Sequence, residues 1–144
     1  MNWTEYIYIA QKTIEENPTQ EPDEEAKCRS AMSRAYYAAF CYAKTYLDAK
    51  GKTIKPRTIK RKDGSTGPEG SHEAVIRTLL DVAKNCNNKV KSKLKQLYYL
   101  KKLRKCSDYP DDLSGNWLPP PSRNEVICHI NTCNKIIDTI KHLP

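Results

Sequence analysis

Fifteen of the 25 lysines and arginines in this chain fall in two segments that contain no acid. Residues 50–62 hold Lys50, Lys52, Lys55, Arg57, Lys60, Arg61 and Lys62, while residues 89–105 hold Lys89, Lys91, Lys93, Lys95, Lys101, Lys102, Arg104 and Lys105. A solvated helix face usually mixes signs, because Glu and Lys four apart attract and like charges at that spacing repel. Sustained self-repulsion therefore points to a polyanionic partner, most simply RNA or DNA, with solubility alone as the bland explanation. The residues expected to meet phosphate are Lys55, Arg57, Lys60, Arg61 and Lys62 in the first segment, with Lys95, Lys101, Lys102 and Lys105 in the second. Arg34, beside Ser30 and Ser33, is either an outward snorkelling side chain or a partly buried anchor for phosphate or carboxylate. The opposite sign collects in residues 1–25, with seven acids against one lysine. That start could dock onto a basic partner.

Proton transfer and metal binding have fewer candidates. Arg104, Asp108 and Tyr109 stand together, and the bland reading of them is an Arg–Asp pair with a tyrosine closing the end of a helix bundle. His72 sits at a helix start, where the helix dipole would favour its neutral form. His129 is expected amid the polar side of the last helix, and His142 in a fraying tail. Cys128, His129 and Cys133 lie close in sequence, but adjacent residues point to different helix faces and no Cys-x-x-Cys pair exists. No metal or cofactor is expected, and the six cysteines read as reduced thiols packed as small hydrophobes.

These residues need a scaffold, and the pattern predicts one all-α domain over 1–144, a bundle of four to five helices. The first helix runs from about Trp3 to Glu16, with Tyr6, Ile9, Ala10, Thr13 and Ile14 inward and Asn17-Pro18 ending it. A second starts after Pro22-Asp23 and reaches Ala49, where Gly51 supplies the stop. Along it Ser30, Ser33, Tyr37, Phe40 and Leu47 fall near one stripe, with Ala26 extending it backwards; such small residues would let another helix approach closely. Residues 51–70 form a long basic loop with few apolar side chains, a composition that favours mobility. Ser71 is expected to cap a third helix with Val75, Ile76, Leu79, Leu80 and Ala83 inward. The fourth spans about Lys89 to Ser107, with Val90, Leu94, Leu97, Tyr98 and Leu100 or Lys101 on its inner face, and Pro110-Asp111-Asp112 stops it. Trp117 to Pro121 should be a stiff extended crossover. Ser122 and Glu125 form a capping box for the last helix, striped by Val126, Ile127, Ile130, Ile137 and Ile140. Five helices with one long loop fit an antiparallel up-and-down bundle. No segment has the roughly 18 apolar residues of a membrane span or the pattern of a secretory leader, so the expectation is a cytoplasmic protein that does not enter the membrane.

The run Ser30-x-x-x-Arg34-Ala35-Tyr36-Tyr37-Ala38-x-Phe40 follows the acidic Asp23, Glu24 and Glu25. Ser71-His72-Glu73 then opens the third helix, and Leu103-Arg104-x-x-x-Asp108-Tyr109 closes the fourth. Together, from Trp3 to Leu143, they resemble the HEPN family of small helical domains, named for higher eukaryotes and prokaryotes nucleotide-binding. The resemblance implies an RNA-directed module of a prokaryotic defence or toxin–antitoxin system. It implies a homodimer and metal-independent attack of a ribose 2′-hydroxyl on the adjacent phosphate. Family ribonucleases carry Arg followed after four to six residues by His; here Arg104 matches the arginine, and Tyr109 stands five residues on. Such chemistry needs an arginine fork for phosphate charge and a group titrating near neutrality. Because a tyrosine of ordinary pKa near 10 is a poor base at pH 7, the expectation is weak or no cleavage, with His72 the one candidate to replace the missing histidine. The alternative the resemblance implies is a non-catalytic adaptor that holds a nucleotide or a nucleotidyltransferase partner.

Overall fold

The computed structural model describes residues 2–15, 21–109 and 119–144, with side chains from 24 onward in the second helix. Among them the chain is an all-α bundle: α1 (Thr4–Glu15), α2 (Glu21–Ala49), α3 (Ser71–Val82), α4 (Asn88–Asp108) and α5 (Arg123–Lys141). The single addition is a hairpin between α2 and α3, β1 (Thr58–Lys60) paired antiparallel with β2 (Thr66–Pro68). None of the described helices is long and apolar enough to cross a membrane. The expected stop at Asn17-Pro18, the Pro110–Asp112 terminator and the start of the Trp117–Pro121 crossover lie outside the described residues.

Helix α2 is the axis of the bundle and packs against the other four helices. Its buried positions are Cys28, Ala31, Met32, Ala35, Tyr36, Ala38, Ala39, Phe40, Ala43 and Leu47. The stripe expected through Ser30, Ser33 and Tyr37 is displaced, for all three are only half-buried and Ala26 is exposed. Alanine explains the shift. It is weakly apolar, so a pattern search passes over it, yet its size lets helices on several sides come close to one axis. The small residues that let the other helices approach are thus Ala31, Ala35, Ala38, Ala39 and Ala43, rather than Ser30 and Ser33. Gly51, at φ +65°, ends α2 in a Schellman arrangement. The Lys52 amide donates to the Leu47 carbonyl at 2.9 Å and the Gly51 amide to Asp48 at 3.0 Å.

The other helices follow their apolar periods, with local corrections. In α1 the inward residues are Ile7, Ala10 and Ile14, while Ile9 is exposed. In α3 the cap is Gly70, which makes no side-chain bond, and Ser71 is the first helical residue. Buried Leu94, Leu97 and Leu100 carry α4; Val90 is half-buried and Tyr98 exposed. Its cap is Asn87, whose side chain accepts from the Val90 amide at 3.0 Å. Helix α5 has the full capping box, Ser122 accepting from the Glu125 amide and Glu125 from the Ser122 amide. Ile127 faces outward, and His129, expected on the polar side, is buried between Val126 and Cys133 on the apolar stripe.

In the 51–70 segment a tight turn and one carboxylate build the hairpin where apolar residues are lacking. Asp63 Oδ1 accepts from the Ser65 amide at 2.9 Å and its hydroxyl at 2.6 Å, with Gly64 at φ +85°. At the base, buried Glu69 accepts from Arg77 Nε and Nη2 at 3.0–3.2 Å and from the Arg57 amide at 3.4 Å. Arg77 Nη2 also donates to the Lys55 carbonyl at 2.8 Å, so α3 holds both ends of the hairpin. The Arg77 guanidinium keeps the Glu69 carboxyl below the usual range, so the anchor is charged at neutral pH.

Candidate functional site

Arg104 lies in the last turns of α4 on its inner face and is 9% exposed. The i,i+4 geometry of a helix puts Asp108 beside it, with Nη1 donating to Asp108 Oδ2 at 3.0 Å and to the Tyr37 hydroxyl at 3.4 Å. The guanidinium carbon lies 5.6 Å from the Tyr36 ring centre and 5.3 Å from that of Tyr37, both on α2. Burial between aromatic faces is a setting that guanidinium tolerates better than ammonium. Its Nε is buried and has no partner among the described residues.

From the start of α3, His72 enters the same cluster. Its ring stacks on Phe40 at 4.1 Å between centroids, and its Nδ1 lies 2.8 Å from the Tyr36 hydroxyl. Burial, then the charges of Arg104 and Lys101, hold its pKa below the usual range, so the imidazole is neutral at pH 7. Burial pushes the Tyr36 phenol up, which keeps it protonated. The neutral ring has two arrangements here. If Tyr36 donates to Nδ1, Nε2 carries the proton and can donate to a phosphate; if Nδ1–H donates to Tyr36, Nε2 is free to act as a base. Lys101 closes one side of the cluster through an ion pair with Glu73. Tyr109, by contrast, is the C-cap of α4 with its side chain exposed, apart from the group that joins Arg104 to His72.

The expected RNA contacts divide accordingly. Lys95, Lys102 and Lys105 are exposed on α4, as are Lys55, Lys60, Arg61 and Lys62 on and beside the hairpin. None of these seven forms an ion pair among the described residues, nor does exposed Arg34 on α2. Arg57 is exposed but 3.7 Å from Glu69, and Lys101 is already matched by Glu73. The base of the hairpin lies near α4: burial, then the charges of Glu69, Arg57 and Arg77 there and of Asp81 on α3, act on the Tyr98 hydroxyl. Where Tyr99 borders the outer face, a groove of about 720 Å³ runs between α4 and α5, lined by Tyr99, Leu100, Leu103, Pro120, Cys128 and His129. It contains neither Arg104 nor His72.

His129 donates from Nε2 to the Met32 carbonyl across 3.0 Å, and its Nδ1 is buried without a partner among the described residues. All six cysteines are free thiols, and burial pushes those of Cys28, Cys41 and Cys133 up, so they pack rather than react. Among the described residues no group of three His, Cys, Asp or Glu side chains is placed to hold a metal.

Of the cluster, the Arg104–Asp108 pair was readable from spacing. Tyr36 and Glu73 were not singled out as members, because their roles come from residues 36 and 28 positions away. One available signal was the spacing of Tyr36 three and seven residues before Ala39 and Ala43, which puts it near their face of the helix. Comparison of the chain with models of known protein families, with curated proteins and with solved structures finds no match.

Proposed function

We propose that this chain is an RNA-binding module of HEPN-like type, which holds RNA on one continuous basic surface made of the hairpin and the outer face of α4. One observation carries this reading: exposed cations without an ion pair far outnumber such acids on the hairpin and on α4, and Arg57 at the hairpin base acts on Tyr98 of α4. Asp108 pairs with Arg104, Glu73 with Lys101 and Glu69 with Arg77. The charge left exposed on the hairpin and α4 is mostly positive, Asp63 in the hairpin turn being the exception, and such a surface attracts a polyanion and repels other cations. The module would belong to a prokaryotic defence or toxin–antitoxin system and would act as a homodimer in the cytoplasm.

The test is RNA affinity against salt. Neutralising phosphates releases counterions, so log affinity should fall with log salt at about −0.7 per phosphate contacted on a single strand. Reversing Lys95, Lys102 and Lys105 to Glu should flatten that slope. Absence of binding by wild type at low salt would refute the reading. A slope unchanged by the reversal would exclude α4.

The cluster around Arg104 supports a second reading, that of a non-catalytic adaptor. Its guanidinium is internally neutralised by Asp108 and enclosed by two rings, so a substrate phosphate would have to displace that pair. Cleavage in EDTA decides between them. Turnover lost in both Arg104→Ala and His72→Ala would make the pair catalytic despite its enclosure, with His72 supplying the proton transfer that Tyr109 cannot. No cleavage by wild type would favour the adaptor, holding a nucleotide or a nucleotidyltransferase.

A further inference from the structure

The outer face of α4 carries more than charge. Lys95 has Tyr98 and Tyr99 as its neighbours three and four residues on, and both tyrosines have Lys102 as theirs, four and three residues on. Lys105 and Tyr109 continue the face by another turn. Tyr98 is 39% exposed, Tyr99 62% and Tyr109 61%. Large rings left in water on a helix that has an apolar face of its own need a reason, and two adjacent ones framed by lysines need it more. Exposed Tyr8 is covered by a local cation, Lys12 at 5.5 Å, and half-buried Tyr46 by Lys50 at 5.7 Å. Lysines flank Tyr98 and Tyr99 as well, yet among the described residues no cation sits over either ring and no other ring stacks on them.

We infer that Tyr98 and Tyr99 are base-stacking residues, and that the basic surface therefore takes a strand with unpaired bases in preference to a duplex. This rests on the RNA-binding reading and adds a second contact chemistry to it. Phosphates meet Lys95 and Lys102 while bases lie on the two rings between them, so each part of a nucleotide has a matched surface. In a duplex the bases are already stacked on each other, and a tyrosine ring has nothing to cover. Stacking of this kind depends little on base identity, since every base offers a π face. An acidic protein segment could satisfy the lysines, but it supplies no planar groups for the rings.

The discriminating experiment measures binding of a fluorescently labelled single-stranded RNA and of a duplex of equal length at low salt. The proteins are wild type, Tyr98→Ala/Tyr99→Ala, Tyr98→Phe/Tyr99→Phe and Lys95→Glu/Lys102→Glu. Wild type should prefer the single strand. The alanine pair should lose roughly 5- to 150-fold in single-strand affinity per base unstacked, with the salt slope kept and duplex binding unchanged. The phenylalanine pair should bind like wild type, because the ring and not the hydroxyl does the stacking. Equal losses on both RNAs, or none on either, would overturn the stacking role while leaving the basic surface standing. Loss of both RNAs in the lysine reversal alone would likewise leave only the electrostatic site. If wild type binds neither RNA, the RNA-binding reading fails, and with it this one. Circular dichroism on each variant confirms that α4 is intact when affinities are compared.

Discussion

Acid should unfold this protein earlier than its carboxylates alone would dictate, and His129 is the reason. The ring is 3% exposed and accepts no charge easily. Burial lowers its pKa from 6.5 to about 4, against a small upward effect of its bond to Met32. The folded state thus binds a proton at His129 less readily than the unfolded chain does. Its contribution is fully favourable above pH 6.5 and is lost as pH falls from there towards 4. At 1.36 kcal/mol per unit the full loss is about 3 kcal/mol, of which about 2 kcal/mol has gone by pH 5. Against a typical domain stability of about 5–15 kcal/mol, that is a large share. His72 is shifted in the same sense, so wild type alone cannot separate them. The comparison needed is urea unfolding of wild type and His129→Leu between pH 7.5 and 4.5. The leucine removes a buried unpartnered nitrogen, and the Met32 carbonyl still accepts within its own helix, so the variant should match wild type within about 1 kcal/mol at pH 7.5. By pH 5 it should be the more stable protein by about 2 kcal/mol. Identical pH slopes for the two proteins, or a His129 ring titrating near 6.5 by NMR, would refute the argument.

Three further outcomes rest on other parts of the structure. Arg77→Ala should loosen the hairpin selectively, leaving Glu69 without its main partner; amides such as Arg61 and Glu69 should exchange roughly tenfold faster, the scale of one hydrogen bond to a charged group, while core amides of α2 keep their protection. Ser122→Ala breaks the capping box of α5 and should cost about 0.5–2 kcal/mol in urea unfolding with no change of m-value. Leu94→Ala opens a cavity at a fully buried site and should cost about 2–5 kcal/mol, with a milder loss signalling that α3 and α4 can close over the gap.

Local chemistry settled part of this molecule before any folding. The five helices and their approximate limits follow from apolar periods, and the signals that depend on neighbouring residues hold in place: the Ser122–Glu125 capping box, the Gly51 stop, the Arg104–Asp108 pair one turn apart. Each is decided within about five residues, a range over which backbone geometry is nearly independent of the rest of the chain. The 58–68 hairpin escaped because its stability comes from a distant arginine. The inner face of α2 was misread for a different reason. A helix enclosed on several sides has no single apolar stripe, and its alanines carry too little hydrophobicity to mark one.

Only the tertiary structure decided which of the polar residues are spent inside the fold. Lys101 looked like one more surface cation until α3 brought Glu73 to it, and His129 looked polar until α5 turned it onto Met32. His72 and Arg104 are 32 positions apart in sequence and meet through Tyr36, a contact that no spacing rule encodes. Composition could count the cations, but the helices had to pack before it was settled which charges were neutralised and which stayed exposed. The reason is physical: periodicity reports which side of a helix is apolar, whereas the charge left on a surface depends on the groups that other helices place against it.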